Sequence, residues 1–123
     1  MKLGVLTVPF ADRRLDEVLD LLAARGVDAV ELGTGNYPGS SHCDPEVLLE
    51  DEIARRRLLD AVASRGMTIS ALSCHGNPLH PDDRVASDAH ETWRRTVRLA
   101  AQLEVPVVNT FSGCSLNAVT MRW

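Results

Sequence analysis

Residues 24–32 read ARGVDAVEL, and residues 64–72 read SRGMTISAL. In both stretches a small residue, an arginine and a glycine (Gly26 or Gly66) precede a mostly apolar run. A weaker third copy without the glycine, QLEVPVVNT, occupies residues 102–110. Each copy is typical of a helix end, a short turn and a buried strand, the alternation that builds a parallel β/α fold.

Outward from these repeats, apolar periodicity predicts four strands separated by three helices. The strands are Lys2–Val8, Ala29–Gly33, Thr68–Ser73 and Val105–Phe111. The helices are Asp12–Arg25, Asp44–Arg65 and Ala86–Leu103. We expect Asp12 and Asp44 to cap the first two helices and Gly26 to end the first in a left-handed conformation.

Helical spacing also predicts which side of each later helix is buried. For the second helix the expected inward residues are Leu49, Ile53, Leu58, Leu59 and Val62. For the third they are Trp93, Val97, Ala100 and Ala101. These sides should face the sheet.

Four strands are half of the eight in a (β/α)₈ barrel, a fold that takes about 250 residues. The chain has 123 residues. We therefore predict an α/β fold, the N-terminal half of a truncated (β/α)₈ TIM barrel over residues 1–114, followed by a divergent tail at 115–123. A flavodoxin-like sheet is the alternative, but that fold has five strands and usually a glycine-rich loop after the first strand. The turn at residues 9–12, PFAD, has no glycine.

Composition narrows the functional classes. Hydrophobic residues make up 45% and charged residues 24%, with a formal net charge of −4, which is normal for a soluble globular protein. An acidic balance argues against a nucleic-acid partner, and no apolar run is long enough to span a membrane. We expect a cytoplasmic protein. Three cysteines without a C-x-x-C pair indicate neither a disulfide framework nor a structural zinc site.

Function in parallel α/β folds gathers where the strands end, because these ends meet at one edge of the sheet. Polar residues are concentrated there. The candidates for substrate binding are Glu31, His42, His75, Asn77 and Asn109. Phosphate-binding P-loops, dinucleotide fingerprints and the G-x-S-x-G nucleophile motif do not occur in the sequence.

Each candidate also has a structural explanation. His75 directly follows a strand, where an imidazole can bind a sugar hydroxyl or a metal ion, or merely satisfy loop carbonyls. Glu31 at the end of the second strand needs a partner, either a ligand or an internal arginine. His42 lies in a long polar loop, where a solvated histidine is the simpler interpretation.

Three segments carry a family resemblance: MKLGV at 1–5, AVELGTGNYPG at 29–39 and SALSCHGNPLHP at 70–81. They resemble the sugar phosphate isomerase/epimerase family, which belongs to the xylose isomerase-like barrels together with the endonuclease IV branch. The resemblance covers residues 1–114, and its most specific part is the last segment.

This resemblance implies a complete barrel and a divalent metal, Mn²⁺, Mg²⁺ or Zn²⁺ depending on the branch. It implies four metal ligands of Glu, Asp, His and Glu type, mostly from strands five to eight, and proton transfer next to a carbonyl. His75 matches the strand-three histidine at the barrel mouth, whose counterpart in the endonuclease IV branch binds metal, and Glu31 matches the strand-two glutamate. The four metal ligands have no counterpart here, so we expect this chain alone to bind no metal.

Three functional hypotheses follow. The first is a fragment of a metal-dependent sugar or sugar phosphate isomerase or epimerase, inactive alone, that binds a small sugar-like substrate. The second is a non-catalytic half-barrel that self-associates or pairs with a complementary half through its open sheet edges. The third is an endonuclease IV-like repair protein, which the acidic charge disfavours.

Overall fold

The chain forms one sheet of four parallel strands in the order β1-β2-β3-β4. A computed structural model describes residues 1–115. The strands are β1 (Gly4–Leu6), β2 (Ala29–Gly33), β3 (Thr68–Ser73) and β4 (Val108–Asn109). The helices are α1 (Leu15–Ala23), α2 (Pro45–Leu48), α3 (Glu52–Ala63) and α4 (Asp83–Gln102), and a 3₁₀ turn, Val8–Phe10, follows β1. The predicted α/β class and the four parallel strands are confirmed.

The prediction of three helices is wrong, because the segment expected to form one helix from Asp44 to Arg65 forms two, α2 and α3. Asp44 caps α2 as expected, and its side chain accepts a hydrogen bond from the Glu46 amide. Asp51 then takes an extended backbone conformation and caps α3 by accepting from the Ala54 amide at 2.9 Å. A second capping aspartate therefore divides the segment.

The outer strands are shorter than predicted. Lys2–Val8 reduces to Gly4–Leu6 and Val105–Phe111 to Val108–Asn109, whereas the predicted bounds of β2 and β3 are confirmed. In the described residues β1 and β4 each pair on one side only, so fewer ladder hydrogen bonds hold their ends. The first helix also starts later than predicted, at Leu15.

The three sequence repeats have the same helix-ending geometry. Gly26 and Gly66 adopt left-handed φ angles of 72° and 71°, and Glu104 in the third copy adopts φ 56°. The amide after each of these residues donates to a carbonyl five residues earlier, Val27 to Leu22, Met67 to Val62 and Val105 to Ala100. The expected role of Gly26 is confirmed, and the third copy makes the same turn with a glutamate.

The core lies between the sheet and the helices. It draws Val30 and Leu32 from β2 and Leu72 from β3, all fully buried. The helices contribute Val18, Leu19, Leu22, Leu58, Val62 and Leu99 to the same cluster. Because side chains alternate along a strand, the intervening residues of β2 and β3 point to the opposite face of the sheet, which is the interior side of a barrel.

The expected buried side of α4 is largely wrong. Trp93 and Val97 are 42% and 39% exposed, and Ala101 is also exposed, while Ala100 is buried as predicted. The helix instead buries Ala89, Thr96 and Leu99. In α3 likewise, Ile53 and Leu59 are exposed and only Leu58 and Val62 are buried. Apolar residues at helical spacing thus include a second, exposed stripe.

Among the helices in residues 1–115, none combines the length and the apolar character needed to cross a bilayer.

We predict that Glu104→Gly stabilises the protein by up to about 1 kcal/mol, because a side chain in the left-handed region costs roughly that amount. The exposed Glu104 side chain makes no hydrogen bond or ion pair with the described residues, so no contact is lost. Urea denaturation measures the change. The control is Gln102→Gly at the exposed end of α4, which should destabilise by about 1 kcal/mol. An equal loss of stability in both variants would contradict the prediction.

Candidate functional site

Polar side chains lie on one face of the sheet, in the middle of β2 and at the carboxyl ends of β3 and β4. Glu31 lies between Val30 and Leu32, which pack in the core, so its carboxylate points to the opposite face. On β3 the same face carries Ser73, and the next residue with that orientation is His75. Asn109 of β4 is in register with Ser73. The candidates Glu31, His75 and Asn109 therefore share one face of the sheet.

His75 is held by contacts that leave its ring nitrogens unused. Its backbone carbonyl accepts a hydrogen bond from the Tyr37 amide at 2.9 Å. Its ring stacks on Phe111, with the ring centroids 4.4 Å apart and the planes at 15°. The Nδ1 atom is buried and has no hydrogen-bond partner among the described residues. The ring is thus oriented by stacking and keeps a polar atom for another group.

The β2–α2 loop, residues 34–44, fixes the backbone around His75. Asn36 adopts a left-handed φ of 58° and donates from Nδ2 to the Cys74 carbonyl at 3.0 Å. A Cβ at Gly76 would lie 2.6 Å from Asn36 Nδ2, so any other residue there would displace the Asn36 side chain. Two consecutive carbonyls of the β3 end, those of Cys74 and His75, are therefore held by one loop.

Glu31 is partly buried and its carboxylate makes no hydrogen bond or ion pair with any described residue. It is in register with Leu6 and Ala71, which offer no charge. The internal arginine considered from the sequence is therefore not its partner within residues 1–115. The carboxylate oxygens can accept hydrogen bonds from a ligand.

Asn109 and Asn77 differ in how their amides are used. The Asn109 backbone carbonyl accepts from the Cys74 amide at 3.0 Å, whereas its side-chain amide makes no hydrogen bond with the described residues. The Oδ1 atom of Asn77 accepts from the Cys114 amide at 2.8 Å and from the Leu79 amide at 3.2 Å. Asn77 therefore joins the loop after β3 to the segment after β4, and its carbonyl oxygen is already engaged.

His42 connects two loops. Its Nε2 lies 2.9 Å from the Arg13 carbonyl, which can only accept, so Nε2 carries the proton. Its Nδ1 then accepts from the hydroxyl of Thr7 at 3.1 Å, and Thr7 is fully buried. Both ring nitrogens are occupied within the protein. The solvated loop histidine considered from the sequence is thus replaced by a structural one.

Two residues of this region were missed by the sequence reasoning. The sequence pattern indicates Phe111 only as the end of a strand, although an aromatic residue beside a polar strand end is also a signal for a stacking surface. The pattern indicates Ser73 only as a strand residue, and its buried hydroxyl has no partner among the described residues. A cavity of about 520 Å³ lies beside Phe111 and is also lined by Tyr37, Gly76, Asn77, Thr110 and Cys114.

The two buried cysteines are poor nucleophiles. Burial, with the neighbouring Asp44 carboxylate, raises the pKa of the Cys43 thiol to about 12. Burial also raises the pKa of Cys74, although hydrogen bonds with Thr96 and Thr110 act in the opposite direction. Both thiols are therefore protonated at neutral pH, and thiolate chemistry is not supported at either position.

The described residues do not fit a metal centre. Within residues 1–115 there is no group of three or more His, Cys, Asp or Glu side chains placed to hold a metal ion. Glu31 and His75 are two potential donors on the same face of the sheet, which is fewer than a metal centre needs. They can contact a substrate directly, and no step through a metal is assigned to them.

Comparison with known proteins gives two matches. The family described as xylose isomerase-like TIM barrel matches residues 19–120. The chain is also 31% identical over 113 residues to the uncharacterised protein YfiH of Bacillus subtilis (strain 168). That match covers 92% of this chain and 36% of YfiH, so the chain spans about a third of the length of this curated relative.

We predict that His42→Ala destabilises the protein by about 1–3 kcal/mol, because it leaves the buried Thr7 hydroxyl without its hydrogen-bond partner. Urea denaturation gives the change in free energy. His90→Ala is the matched control, since His90 is exposed on α4 and should change stability by less than about 0.5 kcal/mol. A His42→Ala variant as stable as the control would show that the bridge contributes nothing.

Proposed function

The chain belongs to the xylose isomerase-like TIM barrel family, and from that premise we propose that it forms one wall of the substrate mouth of a sugar or sugar phosphate isomerase or epimerase. The observation that carries the proposal is that Glu31 and His75 face the same side of the sheet with polar atoms that bind no other residue within 1–115. Burying a polar group without a hydrogen-bond partner costs free energy, and a bound ligand that pairs with these two groups would remove that cost.

This wall, which we define as Glu31, His75 and Phe111, is suited to a polyhydroxylated ligand. The Glu31 carboxylate accepts hydrogen bonds from hydroxyl groups, and charge-assisted bonds of this kind are the stronger ones. His75 Nδ1 donates or accepts according to its tautomer. The stacked rings of His75 and Phe111 add an apolar plane against which the C–H face of a sugar can lie. Binding and orientation are therefore the tasks we assign to these residues.

Proton transfer next to a carbonyl requires groups that these binding residues do not supply. In the family, a divalent metal ion would polarise the carbonyl and stabilise the charge that develops on its oxygen. Residues 1–115 contain no cluster of three or more His, Cys, Asp or Glu side chains that could hold such an ion, so we propose that the ligands lie in other parts of a complete barrel. We therefore expect the 123-residue chain by itself to show no isomerase turnover.

A chimera tests the proposal. The 113-residue segment of this chain that matches YfiH replaces the corresponding third of YfiH. The chimera and YfiH are incubated in D₂O with aldoses, ketoses and their phosphates and with Mn²⁺, Mg²⁺ or Zn²⁺. Proton NMR detects deuterium entering at the carbon next to the carbonyl. We expect metal-dependent exchange by the chimera and none by the 123-residue chain.

Substitutions in the chimera then test the assigned residues. Glu31→Gln and His75→Ala should each lower the exchange rate by about 10- to 100-fold, the loss of one hydrogen bond to a charged or buried group. Glu50→Gln, an exposed carboxylate between α2 and α3, is the control. Exchange by the 123-residue chain alone, or unchanged rates in both variants, would contradict the proposal, and so would inactivity of both YfiH and the chimera on every sugar.

A second candidate function, self-association, rests on the apolar stripe of α4, which we define as Trp93, Val97 and Ala101. These residues are spaced by four along the helix, so they lie on one exposed face. Val107 and Phe111, at the β4 side of the sheet, are 44% and 51% exposed. Exposed apolar residues beside a strand that pairs on one side only favour association, and we propose a second copy of the chain as the partner.

Sedimentation equilibrium across a wide concentration range tests this candidate. We expect the chain to be dimeric or larger and Val97→Glu to shift it to monomer, because the substitution places a charge in the apolar stripe. Ile53→Glu is the matched control, since Ile53 is 65% exposed on α3, away from the stripe, and should leave the association unchanged. A monomeric unsubstituted chain at every concentration would contradict the candidate.

A further inference from the structure

Two buried polar atoms at the end of β3 have no hydrogen-bond partner in the part of the chain that the structure describes. Among the buried side-chain nitrogen and oxygen atoms of the described residues, only Ser73 Oγ and His75 Nδ1 have no hydrogen-bond partner. Ser73 is fully buried. Buried polar groups in folded proteins are paired in the great majority of cases, and an exception calls for an explanation. Two exceptions within three residues point to one shared cause.

Strand geometry brings these atoms to the same place. Ser73 and His75 are two residues apart, so their side chains leave the chain on the same side. Asn109 is in register with Ser73 on the neighbouring strand, and its amide makes no hydrogen bond with the described residues. A hydroxyl, an imidazole nitrogen and a carboxamide are therefore grouped at the ends of β3 and β4.

The residues around Ser73, His75 and Asn109 enclose one side of this group more than the other. On the β2 side, Gly33 is in register with Ser73, and a Cβ at Gly33 would lie 2.8 Å from the Gly39 carbonyl oxygen. The β2–α2 loop thus closes that side. On the other side β4 has no further neighbour among the described residues, and Asn109 is only partly buried. The β4 side is therefore the less enclosed of the two, and Ser73 itself is fully buried.

We propose that Ser73, together with His75 and Asn109, forms a binding site for neighbouring hydroxyl groups of a neutral polyol or sugar. The proposal rests on the proposed function and deepens it, because it makes Ser73 a residue that determines specificity. A serine hydroxyl and a carboxamide both donate and accept, and a neutral imidazole does both through its two nitrogens. This matches a sugar hydroxyl, which also donates and accepts, and none of the three side chains supplies the fixed positive charge that an anion prefers.

Stability of the ligand-free chain separates this role from a structural one. Ser73→Ala removes an unpaired buried hydroxyl and keeps the size of the side chain, so the thermal midpoint should rise by about a few degrees or stay unchanged. The control is Ser70→Ala, because the Ser70 hydroxyl donates to the Val30 carbonyl at 3.1 Å and its loss should lower the midpoint. A clear loss of stability in Ser73→Ala would show that the hydroxyl has a structural partner, and would overturn the proposal.

Binding is measured by NMR on the full 123-residue chain with xylitol, D-xylose and inorganic phosphate as separate probes. With xylitol or D-xylose we expect a shift of the His75 Nδ1 resonance and of the Asn109 side-chain amide, and a smaller response to phosphate. Ser73→Ala should weaken polyol binding at least tenfold, and Ser70→Ala should not. No response to either polyol, a stronger response to phosphate, or equal binding by Ser73→Ala would overturn the proposal.

The chimera keeps this proposal distinct from the proposed function. If Ser73→Ala in the chimera leaves deuterium exchange unchanged while His75→Ala lowers it, the hydroxyl site is wrong and the isomerase proposal stands. If the chain binds xylitol through Ser73 but the chimera and YfiH catalyse no exchange, the site stands and the isomerase proposal fails.

Discussion

The packing of one face of the sheet against the helices determines the rest of the structure. Val30 and Leu32 of β2 and Leu72 of β3 are fully buried against residues of α1, α3 and α4. Because side chains alternate, this packing forces Glu31 and Ser73 onto the other face. A slip of one residue would exchange the two sets and place a carboxylate in the core, so the hydrophobic contacts fix the register and the register places the site.

The repeated β/α pattern was the part of the fold that the sequence could predict. β2 and β3 were predicted with their observed bounds, because each follows a helix end with a left-handed glycine, Gly26 or Gly66, and each is paired on both sides. The predicted second helix forms α2 and α3 because Asp51 adopts an extended conformation and caps α3. An aspartate within a helical pattern does not show from the sequence whether it caps a new helix or continues the old one. The exposed position of Trp93 could not be predicted from spacing, since α4 carries two apolar stripes and tertiary packing selects between them.

In the candidate site, too, the residues placed by strands could be predicted from the sequence, whereas the contacts made by loop residues could not. His75 was correctly located just after the end of β3, whereas Glu31, predicted at the end of the second strand, is the middle residue of β2. Strand order and alternation place both residues on one face of the sheet. The partners of His42 and Asn77 depend on loop conformation, and Thr7 lies 35 residues from the histidine that it contacts. Periodicity carries no information about such contacts. Ser73 was missed for a related reason, because a serine within a strand gives no sign in the sequence of whether its hydroxyl is paired.

The contacts around His75 suggest why its ring remains available. The β2–α2 loop holds this region through backbone carbonyls, by the Asn36 amide to Cys74 and the Tyr37 amide to His75, and Phe111 orients the ring by stacking. None of these contacts uses a ring nitrogen. His42 shows the opposite arrangement, since both of its nitrogens join loops and none is left for a ligand. His42 therefore stabilises the loops, whereas His75 keeps a ring nitrogen that no described residue binds. This difference is the reason why the binding role that we propose is assigned to His75 and not to His42.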